Sequence, residues 1–462
     1  MSRVFAGAVL GLLSAFLVIA ALSVGAGFVL SKERLQGVIV RGFQQHPGIV
    51  GDNTHRDYFT ECGLFLMNLI RRDDPVANAI VTMWTTGSRS AAGPRLHPCQ
   101  ITHKLVFGAQ SPEADVPLTE PRIYRQYLFG SRFLESYVLA VMEYHPAAEL
   151  FRALTYAAAL ALFAAALVHT PATALLLAPV IAYLLLVFGM TRLVTLAVAP
   201  GFAIGFTLLA FFVCAKRLFL PLWRRVMFFT FLAGMMTYFD ILNGPLLVAL
   251  TLAVVLNHLF YVMPQRLAPS RYLRRAALEP VLILFCFVFA YAVLTALHLA
   301  LLATMFGDDW RGYFTSLGTR TGDQVDDFRV GAAAILGRFW HWRSQLAPHG
   351  HEWLATSMLA LGTAAWMMTL GALPGRITPR LLADIGVLAA AAAGPLLWLF
   401  VLFQQHTYIH AGFMNRGLTV PAALGLVALL VVFSRPRWDR AAASAAAPPQ
   451  LPGASGTRDR DQ

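Results

Sequence analysis

Apolar runs of helix length alternate along this chain with polar connections, and two of those connections are much longer than the rest. The runs are Phe5–Val29, Leu150–Val168, Ala172–Met190, Leu193–Ala215, Val226–Phe239, Pro245–Val262, Val281–Phe306, Trp353–Leu373, Leu382–Phe403 and Gly417–Phe433. A stretch of about 20 apolar residues spans a bilayer as a helix. A helix also satisfies every backbone polar group within itself, which hydrocarbon demands. The pattern predicts an all-α polytopic membrane protein of about 10 transmembrane helices with a large first extracytoplasmic loop. The first run exceeds a signal-peptide core, which has about 7–15 residues, and is read as a retained helix.

The layout follows. Residues 1–30 form the first span and 31–149 an extracytoplasmic loop domain with amphipathic helices. Residues 150–306 hold spans two to seven, 307–352 a second extracytoplasmic loop, 353–434 the last three spans, and 435–462 a disordered cytoplasmic tail rich in Ala, Pro and Ser. In the first loop, Thr54-x-x-Asp57 reads as a helix-start box, with the helix running to Ile70. Ser88–Pro98 is turn-rich. A further helix is expected from Thr119-Glu-Pro121, because Tyr124, Tyr127, Leu134, Val138 and Val141 recur at helical spacing. In the second loop a helix is expected from Asp326 to Leu346, acidic at its start and basic near its end.

Composition sharpens this picture. The chain is 58% apolar and 13% charged, against about 25% charged in soluble domains. Its net charge of +12 comes mainly from arginines in short loops. That distribution suits anionic lipid, and no basic soluble module for nucleic acid is present. With the N-terminus inside, the loops Lys216–Arg225, Arg266–Arg275 and Arg376–Arg380 and the segment from Arg435 all fall in the cytoplasm, as the positive-inside rule requires. The polar stretches around Asp52–Glu61, Arg122–Arg132, Asp240, Asp308-Asp309 and His406–Arg416 then share the outer face. Cys214 and Cys286 lie in apolar runs. Cys62 and Cys99 share the first loop, where they either pair or stay as thiols.

The outer stretches carry the candidate chemistry. Asp52, Asp57 and Glu61 are candidate acid/base groups, since an acceptor hydroxyl needs a carboxylate within reach to take its proton. Asp57 also fits a purely capping role. Asn53, Arg56, Tyr238, Asp240 and Tyr408 are candidate substrate-binding residues; Asp240 equally fits a cap on a tight turn before Asn243-Gly-Pro245. Arg125, Arg132, His406, His410 and Arg416 are candidate ligands for a phosphate, whose oxygens match the guanidinium fork. An aromatic and arginine belt at the interface would look similar. His258 and His298, inside spans, read as hydrogen-bonded packing residues. There is no Gly-rich phosphate loop, Cys/His metal spacing or G-x-S-x-G elbow. No cofactor is assigned, and a divalent metal is left open.

This layout resembles the GT-C superfamily of membrane glycosyltransferases, from about Val4 to Phe433. In that superfamily the first span leads into a large outer loop carrying an essential acid. The donor is a polyprenyl-phosphate sugar and transfer occurs outside the membrane. The resemblance implies that Asp52 is the acid after the first span and that Arg125 and Arg416 bind the donor phosphate. Tyr238-Phe-Asp240 with Pro245, and His406-Thr-Tyr-Ile-His410 with Arg416, resemble motifs of bacterial members. The acid is followed by Asn53, in place of the Asp-Asp or Asp-Glu pair of some branches. Implied partners are the lipid donor, membrane lipids, and a glycan, lipid or protein acceptor. The implied location is the bacterial inner membrane with the site facing the periplasm or exterior. The rival class is a transporter or lipid flippase, which would carry ionisable groups deep in its spans.

Overall fold

The computed structural model describes residues 2–29, 31–45, 56–70, 74–80, 82–87, 96–123, 130–169, 171–186, 198–239, 244–265, 267–307, 311–325, 328–341, 352–374, 376–409 and 411–446. Apart from two small two-stranded antiparallel sheets, the elements of the described chain are helical. Helix α1 (Ser2–Val29) is apolar except for Arg3 at its start. Helix α2 (Lys32–Gln45) turns Leu35, Val38, Ile39 and Phe43 inward at helical spacing and its charges outward. Helix α3 (Arg56–Leu69) ends one residue short of the expected Ile70. Helix α4 (Pro75–Ile80), strand β1 (Met83–Trp84) and helix α5 (Pro98–Phe107) follow. Helix α5 starts on Pro98, and the His97 ring and the Gln100 side chain cap its free amides reciprocally.

The helix expected from Thr119 is not present. Arg122 and Ile123 form strand β2, antiparallel to β1, with Met83 opposite Ile123. Thr119 donates its amide to Thr86, and its carbonyl accepts from the Thr85 hydroxyl. These bonds take the backbone groups a first helical turn would use, and Pro121 has no amide to offer. Helix α6 spans Gly130–Leu139, keeping Leu134 and Val138 from the expected pattern; Tyr124 and Tyr127 lie outside the described residues. Helices α2, α3 and α5 enclose a core of Leu35, Ile39, Phe43, Phe65 and Leu69. A disulfide between Cys62 and Cys99 ties α3 to α5, which settles the pairing left open by the sequence.

The bundle comprises α7 (Tyr144–His169), α8 (Pro171–Leu186), α9 (Ala199–Cys214), α10 (Leu222–Phe239), α11 (Pro245–Asn257) and α12 (Pro269–Phe306). A π turn, His258–Val262, continues α11. The second loop holds α13 (Arg311–Thr321), strands β3 (Gln324–Val325) and β4 (Phe328–Arg329), and α14 (Ala332–His341). The expected Asp326–Leu346 helix therefore starts later. Asp323 instead binds Arg329 at 2.6 Å through its carboxylate and the Val330 amide at 2.6 Å through its carbonyl, closing a hairpin. The chain finishes with α15 (Glu352–Ala372), α16 (Pro379–Leu397) with a π turn to Leu402, α17 (Gln404–Ile409), α18 (Ala411–Met414) and α19 (Thr419–Ala446). Two expected irregular segments are helical. Arg271, Arg274 and Arg275 ride the first turns of α12, which Pro269 opens. The tail stays helical to Ala446, through an Ala-rich stretch of high helix propensity.

Each of the ten apolar runs contains a helix. By length and composition, five of the described helical stretches are long enough to cross a membrane: Ser2–Val29, Tyr144–Val168, Pro269–Phe306, Trp353–Ala372 and Pro379–Leu402. Shorter apolar helices include Ala199–Cys214 and Leu246–Val262. The chain is an all-α integral membrane protein.

Side-chain contacts give the direction of the helices. Gly7 and Gly11 let α1 lie directly on the α10 backbone at Trp223 and Met227. Further along, Ala15 meets Gly234 and Ser23 meets Tyr238, so α1 and α10 run parallel. Cys286 faces Val226 and Leu294 faces Gly234, so α12 runs the same way. Asp384 at the start of α16 meets Arg435 late in α19, while Leu399 meets Gly417 just before it. Hence α16 and α19 are antiparallel. One end of the bundle gathers Arg225, Glu279, Asp384 and Arg435. The opposite end gathers Ser23, Tyr238 and α17.

Candidate functional site

The end away from the basic loops brings together two of the sequence-predicted residues, Arg132 and Tyr238. Helix α6 lies across the ends of α1 and α10, and Gly130 makes this possible. A Cβ there would run into the Tyr238 ring and backbone. Phe133 stacks on Tyr238 with centroids 6.0 Å apart and planes 4° from parallel. The Arg132 guanidinium sits 4.3 Å from the Phe133 ring centre and is fully buried. Tyr238, also buried, shares a 2.5 Å hydrogen bond with Ser23. Tyr137 donates to the Leu22 carbonyl at 3.0 Å. Asn68, on the last turn of α3, donates to Glu135 at 2.7 Å, and both are buried. Arg132 and Tyr238, more than a hundred residues apart, thus belong to one aromatic and polar knot.

Sequence reasoning missed Ser23, Asn68, Phe133 and Tyr137 and gave Glu135 no role. Ser23 is a small residue inside an apolar run and announces nothing. Glu135 was visible as a charge on α6, but its partner Asn68 lies two helices away. A buried carboxylate needs such a donor, because burial without one costs several kcal/mol.

Arg56 and Asp57 occupy the first turn of α3 and Glu61 its second; their side chains are outside the described residues. So are Asp52, Asn53, Arg125, Asp240 and His410, and the side chain of Arg416, which follows α18 in a short 3-10 turn. His406 on α17 is buried. Tyr408 is packed between the Arg338 guanidinium, 4.5 Å from its ring centre, and the Phe328 ring at 6.0 Å. It joins α17 to the second loop and does not meet Tyr238. Gln405 strengthens that junction, its amide donating to Gly322 and its side chain to Gln324. Helix α18 in turn touches both α3 and α14, so the segment after α16 links the two long loops on this end of the bundle.

Beside the knot an apolar groove of about 230 Å³ runs between α1, α4, α10 and α12. Phe16, Ile19 and Leu297 form its walls; Ser23, Thr82, Tyr238 and His298 are its polar residues. Val24 and Leu297 are exposed at its edge, so the groove opens sideways onto the surface a bilayer would cover. His298, expected as a packing residue, lines this groove. Among the described residues no three His, Cys, Asp or Glu side chains converge as a metal site would require.

The bundle interior is not free of charge at its other end. Arg225 donates to Glu279 at 2.6 and 3.2 Å and to Asn257 at 2.7 Å. Arg275 adds a further bond to Glu279 at 2.9 Å. One residue past Asn257, His258 Nε2 lies 2.8 Å from Asp384 Oδ1, which also accepts from the Tyr272 hydroxyl. Arg435 approaches the second Asp384 oxygen at 3.5 Å. His258 is hydrogen-bonded, as expected, but Glu279 and Asp384 carry more of this end than the sequence suggested. A lone acid inside an apolar run was the available signal. Comparison with protein families, with curated proteins and with solved structures finds no match for this chain.

Proposed function

We propose that the protein is an integral membrane glycosyltransferase of GT-C type with about ten spans. It moves a sugar from a polyprenyl-phosphate donor to an envelope glycan, lipid or protein acceptor at the outer face of a bacterial plasma membrane. The observation that carries this reading is convergence. Helix α3, the Arg132 helix, the Tyr238 end of α10 and the α17–α18 segment are scattered over the sequence yet share one end of the bundle, beside an apolar groove. The Cys62–Cys99 disulfide supports an oxidising, extracytoplasmic setting for the same end.

On this reading a carboxylate, Asp52 first and Glu61 or Asp57 as alternatives, takes the proton of the acceptor hydroxyl. The oxygen forms a bond to the anomeric carbon as the bond from that carbon to the lipid phosphate breaks. Polyprenyl phosphate leaves as an anion. Arg125, Arg416, His406 and His410 provide its countercharge, while Arg132, buried behind Phe133, contributes positive potential from a dry position where it is least screened. Asn53, Arg56, Tyr238, Asp240 and Tyr408 are proposed to shape the substrate site.

Two measurements test the proposal. Native mass spectrometry of the detergent-purified protein is expected to find co-bound polyprenyl phosphate or its glycosylated form, lost on Arg416→Ala. Asp52→Asn is expected to lower transfer by about 10²–10⁴-fold, the usual worth of a general base, with the fold and the lipid retained. Absence of such a lipid from well-folded protein would overturn the reading. A transporter is the second reading, favoured by the buried acids Glu279 and Asp384; it predicts uptake or lipid scrambling that Asp384→Asn abolishes.

A further inference from the structure

At the basic end, α9 stops at Cys214 and the chain turns through Lys216 and Arg217 before α10. The turn is fixed by its own backbone, Leu218 to Ala215 and Phe219 to Lys216, and by Arg224 donating to the Leu218 carbonyl at 3.2 Å. In front of it is an open recess of about 460 Å³, lined by residues 214–218 and Leu220. The Lys216 ammonium is half-buried, with the Phe260 ring centre 6.0 Å away. Among the described residues no carboxylate pairs with Lys216 or with exposed Arg217. The acids of this end, Glu279 and Asp384, are buried under other arginines. The carbonyls ending α9 and the Phe260 face offer only partial negative charge. Burial holds the ammonium below its ordinary value, so a counter-anion would be favourable there. Immediately beside the recess, Leu218, Leu220 and Phe211 are exposed, 46%, 59% and 51% respectively. Positive charge at a recess flanked by exposed apolar side chains matches a molecule with an anionic head and apolar tails.

We propose that Lys216 and Arg217 form a docking site for the headgroup phosphate of an anionic phospholipid, whose acyl chains lie along Phe211, Leu218 and Leu220. The exposed leucines favour a lipid over free phosphate, which would make no use of them. The site is at the opposite end of the bundle from the groove beside Tyr238, and it does not depend on the transferase reading.

The test is native mass spectrometry of the full-length protein, delipidated in detergent and titrated with phosphatidylglycerol or zwitterionic phosphatidylethanolamine. Phosphatidylglycerol is expected to be retained preferentially. The double substitution Lys216→Gln/Arg217→Gln is expected to weaken that retention by about 30-fold, the combined worth of two basic residues near an anionic surface. Arg376→Gln, which changes an arginine packed on Phe433 at the same end, is expected to leave it nearly unchanged. Equal retention of the two lipids, or an unchanged affinity in the double variant, would overturn the site. So would a loss in Arg376→Gln as large as in the double variant, which would mean diffuse surface charge. Displacement of the lipid by millimolar inorganic phosphate would overturn the lipid assignment. An unchanged melting temperature confirms that a loss of lipid is not a loss of fold; if the double variant melts early, Lys216→Arg/Arg217→Lys must restore both.

Discussion

The two ends of the helix bundle bury polar groups in different ways. At the basic end the buried groups are ions, each acid surrounded by several donors. Glu279 receives bonds from Arg225, Arg275 and Asn257, and Asp384 meets His258, Tyr272 and Arg435. At the other end two buried ions, Arg132 and Glu135, sit among an amide, hydroxyls, rings and backbone carbonyls, and a groove stays open beside them. Paired ions in a dry interior tolerate little displacement, because separating them exposes an uncompensated charge. Stacked rings and single hydroxyl bonds tolerate more. One end is therefore built to fix the relative positions of α10, α11, α12, α16 and α19. The other leaves an apolar groove open between helices.

The largest expected effect tests that contrast directly. Arg225→Ala leaves Glu279 buried with part of its countercharge gone and is expected to cost about 3–5 kcal/mol, lowering the melting temperature in detergent. The paired change Arg225→Met/Glu279→Leu removes both ions and is expected to recover most of that loss. If the paired variant is as unstable as the single one, packing and not ion pairing defines this end.

Next in size is the disulfide. Replacing Cys62 and Cys99 by serine is expected to cost about 2–4 kcal/mol. Because the bond joins α3 to α5, both in the first loop, hydrogen exchange should quicken in those two helices while the bundle stays protected. A uniform loss of protection would show that the loop domain and the bundle unfold as one. At the open end, Tyr238→Phe removes one buried hydrogen bond and leaves the Ser23 hydroxyl to find another partner. Its expected cost is about 1 kcal/mol, clearly below that of Arg225→Ala. Equal costs for the two would erase the proposed difference between the ends.

The apolar runs carried most of the bundle in plain view, since a spanning helix declares itself by composition alone. The short helices were harder. Helix α2 shows inward residues at helical spacing only once Phe65 and the α5 side chains are in place to receive them. Thr119-Glu-Pro121 looked like a helix start because its residue types serve both ends of a choice; the partner strand at Met83–Trp84, decided by tertiary contact, settled it. In the candidate site, Arg132 and Tyr238 were legible as functional types, but their meeting through Phe133 was not. Nor was the Ser23 contact, made 215 residues away. Tyr408 was legible as a polar aromatic near histidines, yet its ring is used in joining α17 to α14. Glu279 gave half a signal, four residues after Arg275 on one helix face. Its partner Arg225 belongs to another helix, and no local pattern reveals that.

The smallest expected effect concerns pH, and it separates the loop domain from both ends of the bundle. His103 on α5 stacks on Phe107 at 4.3 Å, has Phe43 edge-on at 5.5 Å, and shares a 3.0 Å hydrogen bond with Ser111. Burial lowers its pKa below the ordinary value of about 6.5, with the Glu113 carboxylate opposing that shift. Above that ordinary value the ring is neutral whether the domain is folded or not, and it has no influence on stability. As pH falls below it, the unfolded chain binds a proton that the folded domain still resists, so stability is lost. Glu143 adds a second step at lower pH. Its bonds from Arg41 hold its carboxyl below the usual range, and the stability they give is lost as pH falls through the folded value. The protection factor of the α5 amides, their exchange rate corrected for its intrinsic pH dependence, is therefore expected to fall between pH 7 and 5, and His103→Phe should remove that step while leaving the one at Glu143. If the protection of α5 is flat across this range in the wild type, the imidazole is free to protonate in the folded domain and the stack on Phe107 does not exclude water from it.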